Sequence, residues 1–312
     1  MKNLRFLAIG GLLLVGLLAG CASPTTGGQG TSGQKYTIGF AVSTLNNPFF
    51  VAMVNGVKSE AAKEGVTVIV DNGNNDPSTQ LNQMQDLIQQ KVNAIILNPT
   101  DSQSLSSAVA MANKANIPVI TLDRSVTSGT VASFIASNNI QAGKMAADEI
   151  IKALGGHGSV VDLQGTIGTS AEADREQGFT QEIATAPGIT VVARQTASFD
   201  RSTALNVMQN ILQAHPNINA VFAQNDEMAL GALKALQQSN KTGVAIVGID
   251  GEQEVVNDIQ QGLIYADIAQ QPTQEGVLGV KYAVEVIQGK SIPSSVDSPL
   301  QLVEKGTNFT GF

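Results

Sequence analysis

The sequence predicts an α/β protein built of two doubly wound, parallel-sheet lobes, and three observations lead there. Short apolar runs rich in β-branched residues alternate with helix-length segments from residue 38 almost to the end, the pattern of parallel strands joined by crossover helices. Counting them gives more runs than one twisted sheet holds comfortably, so two sheets are expected. Both halves also open alike, with strand, polar turn and helix at Ile38 to Phe50 and at Val160 to Phe179, a faint internal repeat.

In the first half, Ile38 to Val42 suits a strand buried on both faces. Asn47-Pro48 then reads as a helix start, with Asn as N-cap and Pro at the first helical position. Phe50, Val54, Val57 and Ala61 form the buried stripe of that helix, and Gly65 is its expected C-cap. Neighbours on a helix point about 100° apart, so Phe50 is expected to face inward and Phe49 to face whatever lies above the strand's carboxyl end; the motif alone also fits two core aromatics. Strands follow at 66–70, 94–97, 118–122 and 131–136, with a helix that starts at Asp76-Pro77 and turns Leu81, Met84 and Ile88 inward, and helices at 104–115 and 142–154. The second half supplies strands at 160–163, 189–193, 220–223, 244–249 and 264–269, with helices at 170–185, 203–214, 228–238, a segment closing at Gly262, and 275–288.

A formal charge of −8 becomes −10 once residues 1–20, whose only charged side chains are Lys2 and Arg5, are removed. No cluster of Lys and Arg offers a phosphate-backbone site, so nucleic acid is not an expected partner. Two histidines and one cysteine leave no material for a metal cluster or an internal disulfide, and no metal or cofactor is expected. The oxygen-rich run Asp71 to Asp76 has its glycine at the third position, where a calcium loop has it at the sixth, and reads as a polar turn.

Met1 to Arg5 is a basic start, and Phe6 to Gly20 is an apolar run of 15 residues, shorter than the about 20 that a spanning helix needs. The segment 1–20 therefore reads as an export signal. It ends in Leu18-Ala19-Gly20-Cys21, which resembles the lipobox of bacterial lipoproteins, in which the cysteine is lipidated; the chain's single cysteine stands where that motif requires one. Residues 21–34, rich in Gly, Ser and Thr, cannot pack and read as a flexible tether. An extracytoplasmic protein anchored to the cell membrane by lipid is the expectation.

In open parallel sheets, ligands sit beyond the carboxyl ends of the strands. This sequence places Ser43, Asn47, Asn98, Asp123, Arg124, Phe199, Asn225, Asp250 and Gln270 there, with Arg175 in the helical segment after another strand. Planar amides, carboxylates and guanidinium groups with interspersed rings suit a small ligand carrying adjacent hydroxyls, its C–H faces covered by aromatics. Taken singly, each has an ordinary reading as turn former, helix cap or surface charge. Their repetition at strand ends favours a site.

Ser43 to Phe50, Asn98-Pro99-Thr100-Asp101, Ile117 to Arg124 and Phe222 to Ala232 resemble the D-ribose-binding proteins of bacterial ABC transport systems, over about Lys35 to Val303. The resemblance implies a type I periplasmic-binding-protein fold with three crossing segments as a hinge, sugar in the cleft and delivery to a membrane permease by a protein expected to be monomeric. It implies an N-terminal lobe of 35–137 with 271–299 and a C-terminal lobe of 138–270 with 300–312. It assigns Asn47, Asp123, Arg124, Arg175, Asn225, Asp250 and Gln270 to the sugar's oxygens, Phe49, Phe50 and Phe199 to its ring, and Ser43 and Asn98 to the supporting wall. Departures are Ile249 before Asp250, Glu172-Ala173-Asp174 where a basic residue is usual, and a longer segment past Lys305.

Another pentose, allose or a ribose-like signalling furanose are alternative ligands. An enzyme is the rival of a different class: a glycoside hydrolase would use Asp123 and Asp250 as its carboxylate pair. Against it, Arg124 is expected to hold its neighbour Asp123 ionised, an acceptor and not a general acid. A sugar-responsive repressor would need an N-terminal DNA-binding module, where this chain carries the export signal and tether.

Overall fold

The structure is a computed structural model that describes residues 36–312; the expected signal segment, Cys21 and the tether lie outside the described residues. Strands and helices are numbered in chain order. One sheet runs β2 (Thr67–Asn72), β1 (Thr37–Val42), β3 (Ala94–Leu97), β4 (Val119–Leu122), β5 (Ser133–Ser137), β11 (Ser295–Ser298), all parallel. The other runs β7 (Gly188–Thr196), β6 (His157–Gln164), β8 (Ala220–Ala223), β9 (Ala245–Asp250), β10 (Ala266–Ala269), β12 (Gln301–Glu304). Laid side by side the two orders correspond strand for strand, so the faint repeat of the sequence is a repeat of topology.

Each sheet is covered on both faces. Helices α1 (Pro48–Glu64) and α9 (Pro272–Ile287) cover one side of the first sheet, and α2 (Pro77–Gln89) with α3 (Ser106–Lys114) cover the other. On the second sheet, α4 (Asn139–Leu154) and α5 (Ser170–Ile183) face α6 (Arg201–Ala214), α7 (Asp226–Gln238) and α8 (Gln253–Gln261) across the strands. Strand β1 shows why the runs read as continuous: Ile38, Phe40 and Val42 enter the core under α1, while Ala41 enters the one under α2 and α3.

The chain crosses between lobes three times, from β5 to α4, from β10 to α9 and from β11 to β12. As a result each lobe is finished by a helix that follows the other lobe's strand: α9 packs on α1, and α4 on α5. Both pairs touch backbone to backbone. A Cβ on Gly56 or Gly276 would lie 2.1 Å from Thr273 O or 2.2 Å from Met53 O, and one on Gly143 or Gly178 would lie 2.1 Å from Arg175 O or 2.0 Å from Ile140 O. The same reciprocal glycine contact is thus built twice.

Local signals hold where chemistry fixes them. Asn47 Oδ1 accepts from Phe49 N at 2.8 Å with Pro48 at the first helical position, and Gly65 closes α1 at φ 68°. Three expectations need correction. Helix α9 begins at Pro272 and not at 275, because Pro is a good first helical residue. Strand β7 extends to Thr196, beyond its apolar stretch, because pairing with β6 carries it on. The edge strands β11 and β12 were not foreseen, since they are short and mostly polar, and β12 runs antiparallel to β10, so the second sheet is not wholly parallel. No helix among the described residues is long and apolar enough to cross a membrane.

Candidate functional site

The carboxyl ends of both sheets face one cavity of about 250 Å³. The first lobe contributes Asn47, Phe49 and Phe50 from the β1–α1 corner, and Asp123 with Arg124 from the end of β4. The second contributes Ala171 and Arg175 from α5, Phe199 after β7, Asn225 after β8, and Asp250 from β9. Nine of the twelve residues expected to contact or line a ligand thus meet on one surface, drawn from both halves of the chain.

Three of the lining residues sit on a left-handed backbone. Asp123 has φ 62°, Phe199 φ 57° and Asp250 φ 150°, conformations that cost non-glycine residues about 1–3 kcal/mol each. At Asp123 the cause is visible. Its N–H pairs with Ile135 O at 2.8 Å, and Arg124 N then turns back to Leu122 O at 2.6 Å, a three-residue turn that aims the carboxylate and the guanidinium off the end of β4.

The remaining three expected residues stand one layer behind. Asn98 ties the first lobe's strand ends together: its Oδ1 accepts from Ser43 N at 3.2 Å, and its Nδ2 donates to Leu122 O at 3.1 Å and Asp123 Oδ2 at 3.2 Å. The Ser43 hydroxyl is buried and has no protein partner. Gln270, expected on the ligand, donates from Nε2 to Asp250 Oδ1 at 2.8 Å, and its Oε1 has no partner among the described residues. Behind them come residues that the strand-end rule did not find. Gln80 on α2 donates to Ala41 O and Asn98 O and accepts from Thr100 N at 2.8 Å. Asp226 Oδ2 accepts from Gly251 N at 3.0 Å and Glu252 N at 2.7 Å, fixing the turn after Asp250. Asn139 Oδ1 accepts from Arg175 Nε at 2.8 Å, and Gln224 O accepts from Arg175 Nη1 at 2.5 Å. Two signals were present: Asp226 follows Asn225, and Asn139 stands at a crossing.

Phe49 corrects another expectation. Both phenylalanines are buried, 3 % and 4 % exposed, and both belong to the core cluster as well as to the cavity wall. Their rings meet edge-on at 5.3 Å and 87°, so one ring braces the other. The Arg124 guanidinium lies 5.0 Å from the Phe50 ring centre and 5.5 Å from that of Phe199, and Arg175 lies 5.7 Å from Phe199.

Two carboxylates and two guanidinium groups make the wall neutral when all are charged. Arg124 Nε is 3.4 Å from Asp123 Oδ2, and Arg175 Nη1 is 4.0 Å from Asp250 Oδ1. Burial nevertheless decides the direction. It raises Asp123 above the ordinary carboxylate value against the pull of Arg124, Arg175 and Asn98, and it raises Asp250 well above it against Arg175. Arg124 does pull Asp123 down, as expected, but burial outweighs it and leaves the carboxyl above its ordinary value.

Two topologically equivalent lobes meeting over a small, polar, ring-lined cavity define a protein that grips a small hydrophilic molecule between its halves. The chain belongs to the periplasmic binding protein family: the description "Periplasmic binding protein domain" matches residues 38–291. It is 48 % identical over 271 residues to the ribose import binding protein RbsB of Escherichia coli (strain K12), covering 87 % of this chain and 91 % of that one. To the ribose import binding protein RbsB of Bacillus subtilis (strain 168) it is 43 % identical over 290 residues, 92 % of this chain and 94 % of the other. A solute-binding protein of an ABC transporter from Actinobacillus succinogenes 130z, solved with D-allose, superposes with a TM-score of 0.82 at 31 % identity, covering 87 % of this chain and 98 % of that one. These relatives are extracytoplasmic binding proteins, not enzymes, and the glycoside hydrolase reading is set aside.

Proposed function

We propose that this chain is the binding lipoprotein of an ABC importer, taking D-ribose between its lobes and presenting it to a membrane permease. One observation carries the reading: Asn47, Asp123, Arg124, Arg175, Asn225 and Asp250, three from each lobe, converge among Phe49, Phe50 and Phe199 on one cavity. The two guanidinium groups and two amides offer paired donors to adjacent hydroxyls, and the carboxylates accept from them. The rings cover the C–H faces of the sugar. Ser43, Asn98 and Gln270 hold the groups that touch it. The ribose import relatives support ribose over other sugars.

The lobes, 35–137 with 271–299 and 138–270 with 300–312, close as rigid bodies about the three crossings, the hinge motion known for periplasmic binding proteins. Sugar favours closure because both lobes contact it only when closed, and that difference in affinity is the whole driving force. Cys21, lipidated after removal of residues 1–20, tethers the protein to the membrane near its permease.

Calorimetry on the full chain tests the reading, since the absence of tryptophan leaves intrinsic fluorescence a poor reporter. One-to-one binding of D-ribose is expected, with weak responses to arabinose, xylose, allose, galactose and glucose; no heat with ribose at several temperatures overturns it. Cys21→Ala is expected to release the protein from the membrane fraction, and unchanged partition would remove the anchor.

A further inference from the structure

Residues past Lys305, which lie beyond the stretch resembling the ribose binders, form a strap. Thr307 N returns to Glu304 O at 2.9 Å, and Gly306 N donates to Gln260 Oε1 at 3.1 Å, so the strap starts on the second lobe. From there side chains alternate: Asn308 and Thr310 are exposed, while Phe309 is half-buried against the second lobe's core. Gly311 lies so close to the turn after Asp250 that a Cβ there would stand 2.5 Å from Gln253 N. Its own N–H donates to Gln253 Oε1 at 3.0 Å, Phe312 N donates to Gly251 O at 3.3 Å, and Phe312 O accepts from Gln253 N at 3.3 Å.

That last bond has a purpose in the helix it touches. Gln253 N is the first amide of α8, one of the four that find no acceptor within a helix, and the backbone oxygen of Phe312 provides one. The backbone of the strap is thereby fixed to the second lobe. Its last ring is not. Phe312 packs with the first lobe's core cluster and meets Phe49 edge-on at 5.9 Å and 78°, on a ring that itself lines the cavity.

We infer that Phe312 is a positioning residue of the sugar site, carried on the second lobe and set against Phe49 of the first when the cleft closes. The inference rests on the proposed lobe closure over a sugar. When the lobes part, the hydrogen bonds keep Phe312 with the second lobe while Phe49 leaves with the first. The ring pair therefore exists only in the closed form, and it adds to the difference in free energy that holds a bound sugar. It also fixes the tilt of Phe49 from behind, so the ring face offered to the sugar depends on it.

The test compares Phe312→Ala, Phe312→Leu and Phe312→Tyr in the full chain, by D-ribose calorimetry, stopped-flow release and hydrogen exchange. The Ala variant is expected to raise Kd about two- to tenfold, the span that an edge-on ring pair corresponds to. The change falls on the release rate, with association unaltered; Tyr restores the original Kd and Leu falls between. In the ribose-bound protein, amides of residues 49–51 are expected to exchange faster in the Ala variant, and in the sugar-free protein equally. Equal Kd and equal exchange for Ala and the unaltered chain overturn the inference. If the unaltered chain binds no ribose, it is the proposed ligand that fails, and the same comparison made with D-allose decides on the strap, faster exchange in the Ala variant supporting it and equal exchange overturning it.

Discussion

Arg175→Ala is the sharpest test of the site. Arg175 is 3 % exposed, and its guanidinium serves Asn139 Oδ1, Gln224 O, Asp250 and the face of Phe199 together. Removing it strands the Asp250 carboxylate, whose other side-chain partner is Gln270, and leaves two acceptors unpaired in a site that closure keeps dry. Breaking a buried ion pair by deleting one member costs about 3–5 kcal/mol. Part of that falls on the folded protein and part on the sugar, because the same donors meet its hydroxyls. Were the full amount expressed in binding, Kd would rise by about two to nearly four orders of magnitude. Calorimetry with D-ribose reads the change, and thermal unfolding of the same samples separates lost affinity from lost fold. Arg175→Lys, which keeps charge but not the planar fork, is expected to recover only part of the loss. An Arg175→Ala protein that melts normally and binds ribose as tightly as the unaltered chain would refute the site as drawn.

Closure has its own contacts. Ser102 N donates to Gly168 O at 3.0 Å, Ser170 N donates to Ser102 Oγ at 3.1 Å, and Ser125 N donates to Ser170 Oγ at 2.9 Å, all across the cleft; the double change Ser102→Ala, Ser170→Ala is expected to weaken ribose binding by about 1–3 kcal/mol, and an unchanged Kd would show that these bonds play no part in closing. Gly276→Ala puts a methyl 2.2 Å from Met53 O, so α1 and α9 must separate, and a loss of about 1–3 kcal/mol or more in urea unfolding is expected; a neutral result would mean that the helix pair is looser than drawn. Burial pushes Asp267 up to about 7 from 3.8, and pushes Glu172 up to about 7 from 4.5. In that window the folded chain holds more protons than the unfolded one, so stability is greatest on the acid side and falls as pH rises through about 4 to 7. Melting temperature is expected to be higher at pH 5 than at pH 8, with a shallower slope in Asp267→Asn; a rise toward pH 8 would contradict the assignment.

How much of this could be read from the chain depends on where the information sits. Strands such as β3 and β8, buried along their whole length, announce themselves because both faces meet helices. Asn47-Pro48 and Gly65 mark the ends of α1 because a cap needs a particular side chain or a left-handed backbone. The strand-end rule found seven of the cavity's ten lining residues, since parallel topology dictates that the site lies there, and the corner motif with the family resemblance added Phe49 and Phe50. It missed Ala171, whose side chain carries no chemical signal. For Gln270, which bonds Asp250 through Nε2, a strand end gives position but not which oxygen a side chain reaches. Gln80, Asn139 and Asp226 were missed for another reason: each acts through contacts 18 or more residues away in sequence, and the position of Asp226 beside Asn225 or of Asn139 at a crossing does not show which distant group it holds. The turn at Asp123 is pinned by a tertiary bond to Ile135 O, while the left-handed Ser198 and Phe199 form a local turn that Asp200 N closes on Ala197 O.

The most direct test of the account is the crystal structure of the protein grown with D-ribose. The account predicts one sugar between Phe49, Phe50 and Phe199, its hydroxyls within hydrogen-bond reach of Asn47, Asp123, Arg124, Arg175, Asn225 and Asp250, with Gln270 bonded to Asp250 and not to the sugar. A ribose held elsewhere, or held by one lobe with the cleft open, would contradict it.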